Sequence, residues 1–118
     1  MSYEFYKVLH LTGILMLFLS MGGAVIRSAI NPDNDKLEKF ILMNHGISLL
    51  IIVVAGFGLL AKLGMIFTGW VVTKIIIWLL MGALIVLIKK MPGKHSMLWF
   101  IVLLLGVCAA YLAIYKPF

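Results

Sequence analysis

The stretch Trp70-Val71-Val72-Thr73-Lys74-Ile75-Ile76-Ile77-Trp78-Leu79-Leu80-Met81-Gly82-Ala83-Leu84-Ile85-Val86-Leu87-Ile88 decides the fold of this chain. It is an unbroken apolar run with a single charge, and it ends in the basic turn Lys89-Lys90-Met91-Pro92-Gly93-Lys94. A helix needs about 20 such residues to cross the hydrocarbon of a bilayer. Three more runs of similar length lie on either side of it. The sequence therefore predicts spans over roughly residues 6–26, 40–61, 70–88 and 97–115. Lipid cannot satisfy free backbone groups, so runs of this length must be helical. The expected fold is all-α: one integral-membrane domain over residues 1–118, an up-down four-helix bundle with short turns between antiparallel neighbours.

Composition points the same way. Of the 118 residues, 64% are hydrophobic and 12% charged, against about 25% charged in an ordinary soluble domain. Mean hydropathy is +1.19. A chain this short has too little interior to hide that much apolar surface. A free soluble monomer, a disordered tail and a disulfide-stapled secreted module are all excluded. The single cysteine, Cys108, allows neither an internal disulfide nor a thiolate metal cluster. Within its apolar run it reads as a small packed hydrophobe. The run from Val8 reads as a first span, not a signal peptide, because it is too long for an h-region and no basic cluster precedes it.

The breaks carry punctuation and topology. Asn31-Pro32-Asp33-Asn34-Asp35 ends the first helix and offers N-caps for the second. Lys62-Leu63-Gly64 closes the second, and Lys116-Pro117-Phe118 follows the fourth. The net charge of +6 sits mainly between the apolar runs, which argues for topology signals and against a nucleic-acid partner. The first and third loops hold Arg27, Lys36, Lys39, Lys89, Lys90 and Lys94; the other side holds Lys7, Lys62 and Lys116. The excess places loops one and three in the cytoplasm of a bacterial-type inner membrane, with both termini on the outer, periplasmic side. Tyr3, Phe5, Tyr6, Trp70, Tyr111 and Tyr115 then fall at the outer interface, Phe40 and Trp99 at the inner one.

Ionisable groups at membrane depth are costly and are read as functional by default. Here they are His10, His45 and Lys74, with Arg27 at the inner end of the first helix. His10, Gly13, Leu17, Ser20, Ala24 and Arg27 share one small, polar helical stripe, whose small members allow close approach of a helix or a flat cofactor. Two readings fit His10: a haem or metal ligand, or a histidine bonded to a neighbouring helix. Lys74 lies at similar depth and shares a stripe with Trp70, Trp78 and Met81. Its readings are a cation for a haem propionate, a direct amine ligand, or a side chain lifted into the headgroups. His45, beside Asn44 and one turn before Ser48, is a second candidate ligand or a histidine bonded to Asn44 or a loop carbonyl. With about 1.5 Å of rise per residue, His10 and His45 should differ in depth by roughly 10–15 Å, an uncomfortable gap for one iron. Separate sites or pairing across a homodimer are the alternatives. His95 reads as solvated. No acidic residue lies in any span, which disfavours carboxylate-based ion transport. The small residues Ala55, Gly56 and Gly58, and Gly106, Ala109, Ala110 and Ala113, suit close helix packing.

In order and spacing, Val8-Leu9-His10-Leu11 with Arg27, Ala55-Gly56-Phe57-Gly58-Leu59-Leu60, Gly69-Trp70 with Lys74, and the final Lys116-Pro117-Phe118 carry a family resemblance. The chain resembles the HemJ-type protoporphyrinogen oxidase family and its CopD-like and SirB-like small membrane relatives. The resemblance implies a helical membrane bundle binding haem b, with His10 and Lys74 in the places of the family's first-helix histidine and third-helix lysine. Ser28-Ala29-Ile30-Asn31 stands where the family has a second histidine, and Lys94-His95-Ser96 where it has an Asn-Glu pair. Haem binding is thus the first implication and the oxidase reaction the second.

The leading expectation is a small cytochrome b-like electron-transfer protein. His10 is the ligand, His45 the second candidate metal ligand, and Lys74, Arg27 and Trp78 line the cofactor, with lipid around it and a quinone or respiratory-chain partner. The alternatives are an oxidase acting on protoporphyrinogen and a membrane module with no cofactor. Copper transport is disfavoured because the methionines are scattered, with no Met-x-x-Met pair.

Overall fold

A computed structural model describes residues 2–30, 33–64 and 69–115. Asn31, Pro32, the Lys116-Pro117-Phe118 end and the side chains of Leu63 and Trp70, invoked above, lie outside the described residues. The four expected helices are present: α1 (Tyr3–Ile30), α2 (Asp35–Leu63), α3 (Gly69–Lys90) and α4 (His95–Tyr115), with a 3-10 turn, Pro92–Lys94, before α4. Each is long and apolar enough to cross a membrane. The longest dimension is 47 Å, against about 40–45 Å for a bilayer with its headgroups.

The helix ends follow local chemistry. Asn34 caps α2, its side chain accepting from the Leu37 N–H at 2.9 Å. Gly64 closes α2 in the left-handed region at φ 66°, where a side chain would be strained.

α1 and α2 share the largest interface, and it keeps one antiparallel register. Tyr6 meets Gly58, His10 meets Gly56, Gly13 meets Ile51 and Ile52, Ser20 meets Asn44, Gly23 meets Ile41, and Arg27 meets Glu38. Small residues make the approach possible. A Cβ on Gly13 would stand 2.9 Å from Ile51 Cγ2 and 3.1 Å from the Ile52 backbone nitrogen. The other side of α1 supplies Leu17, Met21, Ala24 and Val25 to a core completed by Ile41, Met81, Leu84, Ile85, Ile88, Leu98 and Val102. Val71 and Leu112 form a smaller cluster. α1 therefore touches all three other helices.

The outer faces are apolar. Only 17–33% of the most hydropathic window of each helix is buried, and Leu15, Leu19, Leu50, Leu79, Leu104 and Ile114 are among the large side chains left exposed. That surface suits acyl chains, since water tolerates apolar patches of only a few hundred Å². Cys108 corrects the sequence expectation. It is exposed, because the narrow buried stripe of Leu98, Val102 and Leu112 on α4 does not reach it.

Candidate functional site

The α1 stripe read from the sequence lies on the buried side of the helix: His10, Gly13, Ser20 and Arg27 meet α2, while Leu17 and Ala24 join the core shared with the other helices. Gly13, Leu17, Ser20, Ala24 and Arg27 are buried and His10 is half-buried. At its N-terminal end the His10 Nδ1 lies 3.0 Å from the Ile52 carbonyl oxygen of α2. A carbonyl only accepts, so Nδ1 carries the proton and donates. Gly56 makes room for the ring, as a Cβ there would lie 3.3 Å from His10 Cε1. The charge of Lys74 on α3 acts on the His10 ring. Tyr6, packed on Gly58 one turn before His10, was not singled out as a neighbour. The i, i+4 spacing of Tyr6 and His10 was the available signal.

His45 lies elsewhere. It is 4% exposed; neither ring nitrogen makes a well-formed hydrogen bond, and the Gly82 backbone of α3 lies close to the ring. The alternative bond to Asn44 is not formed. Asn44 instead turns to α1, donating to the Met16 carbonyl at 3.0 Å and to Ser20 Oγ. The Ser48 hydroxyl donates to the His45 carbonyl at 2.7 Å. His45 precedes Ile52, where His10 docks, by two helical turns, or about 10 Å of rise. Two nitrogens on one iron lie only about 4 Å apart, so the two imidazoles do not converge within one chain.

The remaining candidates have local partners. The Trp78 indole donates to the Leu49 carbonyl at 3.1 Å, pinning α3 to α2. Arg27 is 7% exposed; its guanidinium donates to the Asn34 carbonyl and to Glu38, each at 3.2 Å. Lys89 reaches the other Glu38 oxygen at 2.8 Å, so one carboxylate ties α1, α2 and α3 together at this end. Arg27 stands about 25 Å along α1 from His10. It belongs to this clamp and not to the His10 level. His95 is exposed as expected. Among the described residues no group of three or more His, Cys, Asp or Glu side chains could hold a metal ion.

The chain matches no family model, no curated protein and no solved structure.

Proposed function

We propose that the four helices cross a membrane as an up-down bundle, with the Arg27 and Lys89 end in the cytoplasm, and that the protein binds haem b and transfers electrons. The observation that carries this reading is the His10 hydrogen bond to Ile52. An imidazole donating through Nδ1 keeps the Nε2 lone pair for a metal, and metal-bound histidines as a rule have their second nitrogen held in this way. His10 would hold the haem iron through Nε2, and Lys74 would supply a cation for a propionate. Haem, when bound, supplies one-electron chemistry; the chain supplies the ligand, a dry setting and a positive charge. Bis-histidine ligation of one iron would need a second copy of the chain, because His45 is out of reach.

The same hydrogen bond also suffices for a cofactor-free bundle in which His10 merely pins α1 to α2. Optical spectra of the detergent-purified protein, oxidised and reduced, separate the two. The haem reading expects a Soret band that His10→Ala abolishes or strongly alters and His95→Ala leaves unchanged. A colourless protein with no Soret band after haem is supplied, or an intact spectrum in His10→Ala, would overturn it.

A further inference from the structure

An open apolar groove runs between α1 and α4. Phe18, Met21, Gly22 and Val25 form one wall, and Trp99 and Val102 the other. Gly22 faces the Trp99 ring across it: a Cβ there would sit 3.6 Å from the ring. At the Val25 and Trp99 end, the 3-10 turn Pro92–Lys94 packs across α1, α3 and α4. Lys90 and Lys94 are exposed around this turn, and His95 is exposed one turn before Trp99 on α4. Lys89 is committed to Glu38, whereas Lys90 and Lys94 have no acidic partner among the described residues.

We infer that the groove and the basic turn form one site for an anionic phospholipid, with an acyl chain lying along Gly22 and Trp99 and the phosphate at Lys90 and Lys94. A zwitterionic lipid would fill the groove equally well, but its own ammonium would offset its phosphate beside Lys90 and Lys94. Basic clusters immediately beside a membrane helix attract anionic headgroups. Trp99, 46% exposed, is an amphipathic ring of the kind that settles at the headgroup level. The lysine stems can lie along the apolar rim while their amines reach the phosphate. The inference rests on membrane insertion but not on haem.

The test uses the full-length protein in nanodiscs of phosphatidylcholine containing a small fraction of lipid with brominated chains, which quench tryptophan on contact. Brominated phosphatidylglycerol should quench more per mole than brominated phosphatidylcholine. The selective part should vanish in Trp99→Phe. Lys90→Gln with Lys94→Gln should cut the preference by roughly fivefold for each lysine removed. Lys36→Gln with Lys39→Gln removes the same charge from α2, which makes no contact with α4 among the described residues, and should leave the preference in place. Equal quenching by the two lipids, or an equal effect of the two lysine pairs, would overturn the site. No quenching by either lipid would overturn membrane insertion, and the site with it. Monodisperse elution and an unchanged helical circular dichroism spectrum show that each variant is folded.

Discussion

Gly13→Ala perturbs the packing of α1 on α2 and the His10 site together. The new Cβ would stand 2.9 Å from Ile51 Cγ2 and from Ile52 Cγ1, and 3.1 Å from the Ile52 backbone nitrogen. Neither isoleucine can swing aside freely, because β-branched side chains in helices hold one rotamer, and a backbone nitrogen cannot swing at all. α2 must retreat by a few tenths of an ångström at Ile52. That residue carries the carbonyl that His10 meets at 3.0 Å, so the same movement stretches the hydrogen bond toward the limit of a useful one. Overpacking costs about 1–3 kcal/mol and a weakened hydrogen bond about 0.5–1.5 kcal/mol. The better helix propensity of alanine returns up to about 1 kcal/mol. The expected net loss is therefore about 0.5–4.5 kcal/mol. Gly22→Ala is the control: its Cβ would meet Trp99 at 3.6 Å, an ordinary contact, so this variant should be neutral or slightly more stable. Equilibrium unfolding in mixed micelles of mild detergent and SDS, followed by circular dichroism, measures both. Equal midpoints for the two variants would refute the close approach at Gly13 and its link to His10.

Three further outcomes follow from the packing. A Cβ at Gly106 would run into the Phe18 ring, so Gly106→Ala should cost about 1–3 kcal/mol; adding Phe18→Leu should recover part of that loss, a non-additivity read from a double-mutant cycle. Asn44→Ala removes the bonds to Met16 and Ser20 and should lower stability by about 0.5–1.5 kcal/mol, the usual range for a hydrogen bond between membrane helices. Glu38→Gln leaves the buried Arg27 without its carboxylate, whereas Lys89→Gln removes only a partner that is 65% exposed. The unfolding midpoint should therefore fall further in Glu38→Gln, and a larger fall in Lys89→Gln would contradict the clamp.

Much of the fold was legible because a membrane helix announces itself by length and apolarity alone. The four runs became four helices, and each helix continues past its apolar run at one or both ends; at the ends of α2, Asn34 and Gly64 satisfy terminal backbone groups. The His10-to-Arg27 stripe was legible from helical spacing. What periodicity could not convey was which helix would meet which face. Met21 and Val25 lie off that stripe yet are fully buried, because α1 packs on three neighbours at once. Tyr6 on Gly58 and Phe18 on Gly106 are shape matches between distant residues, and nothing local encodes them. Arg27 looked like a cation for a cofactor because its partner, Glu38, sits across a turn. Cys108 looked buried because an apolar neighbourhood in sequence does not distinguish lipid from protein interior.

The claim on which the functional reading stands is that His10 presents a free Nε2 to a metalloporphyrin. Long-range proton–nitrogen NMR of ¹⁵N-histidine-labelled protein in detergent, before and after addition of zinc protoporphyrin as a diamagnetic haem analogue, tests it directly. His10 should be in the Nδ1–H form, with an Nε2 resonance that moves on addition while those of His45 and His95 stay in place. A proton on His10 Nε2, or a His10 signal that zinc protoporphyrin does not move, would contradict it.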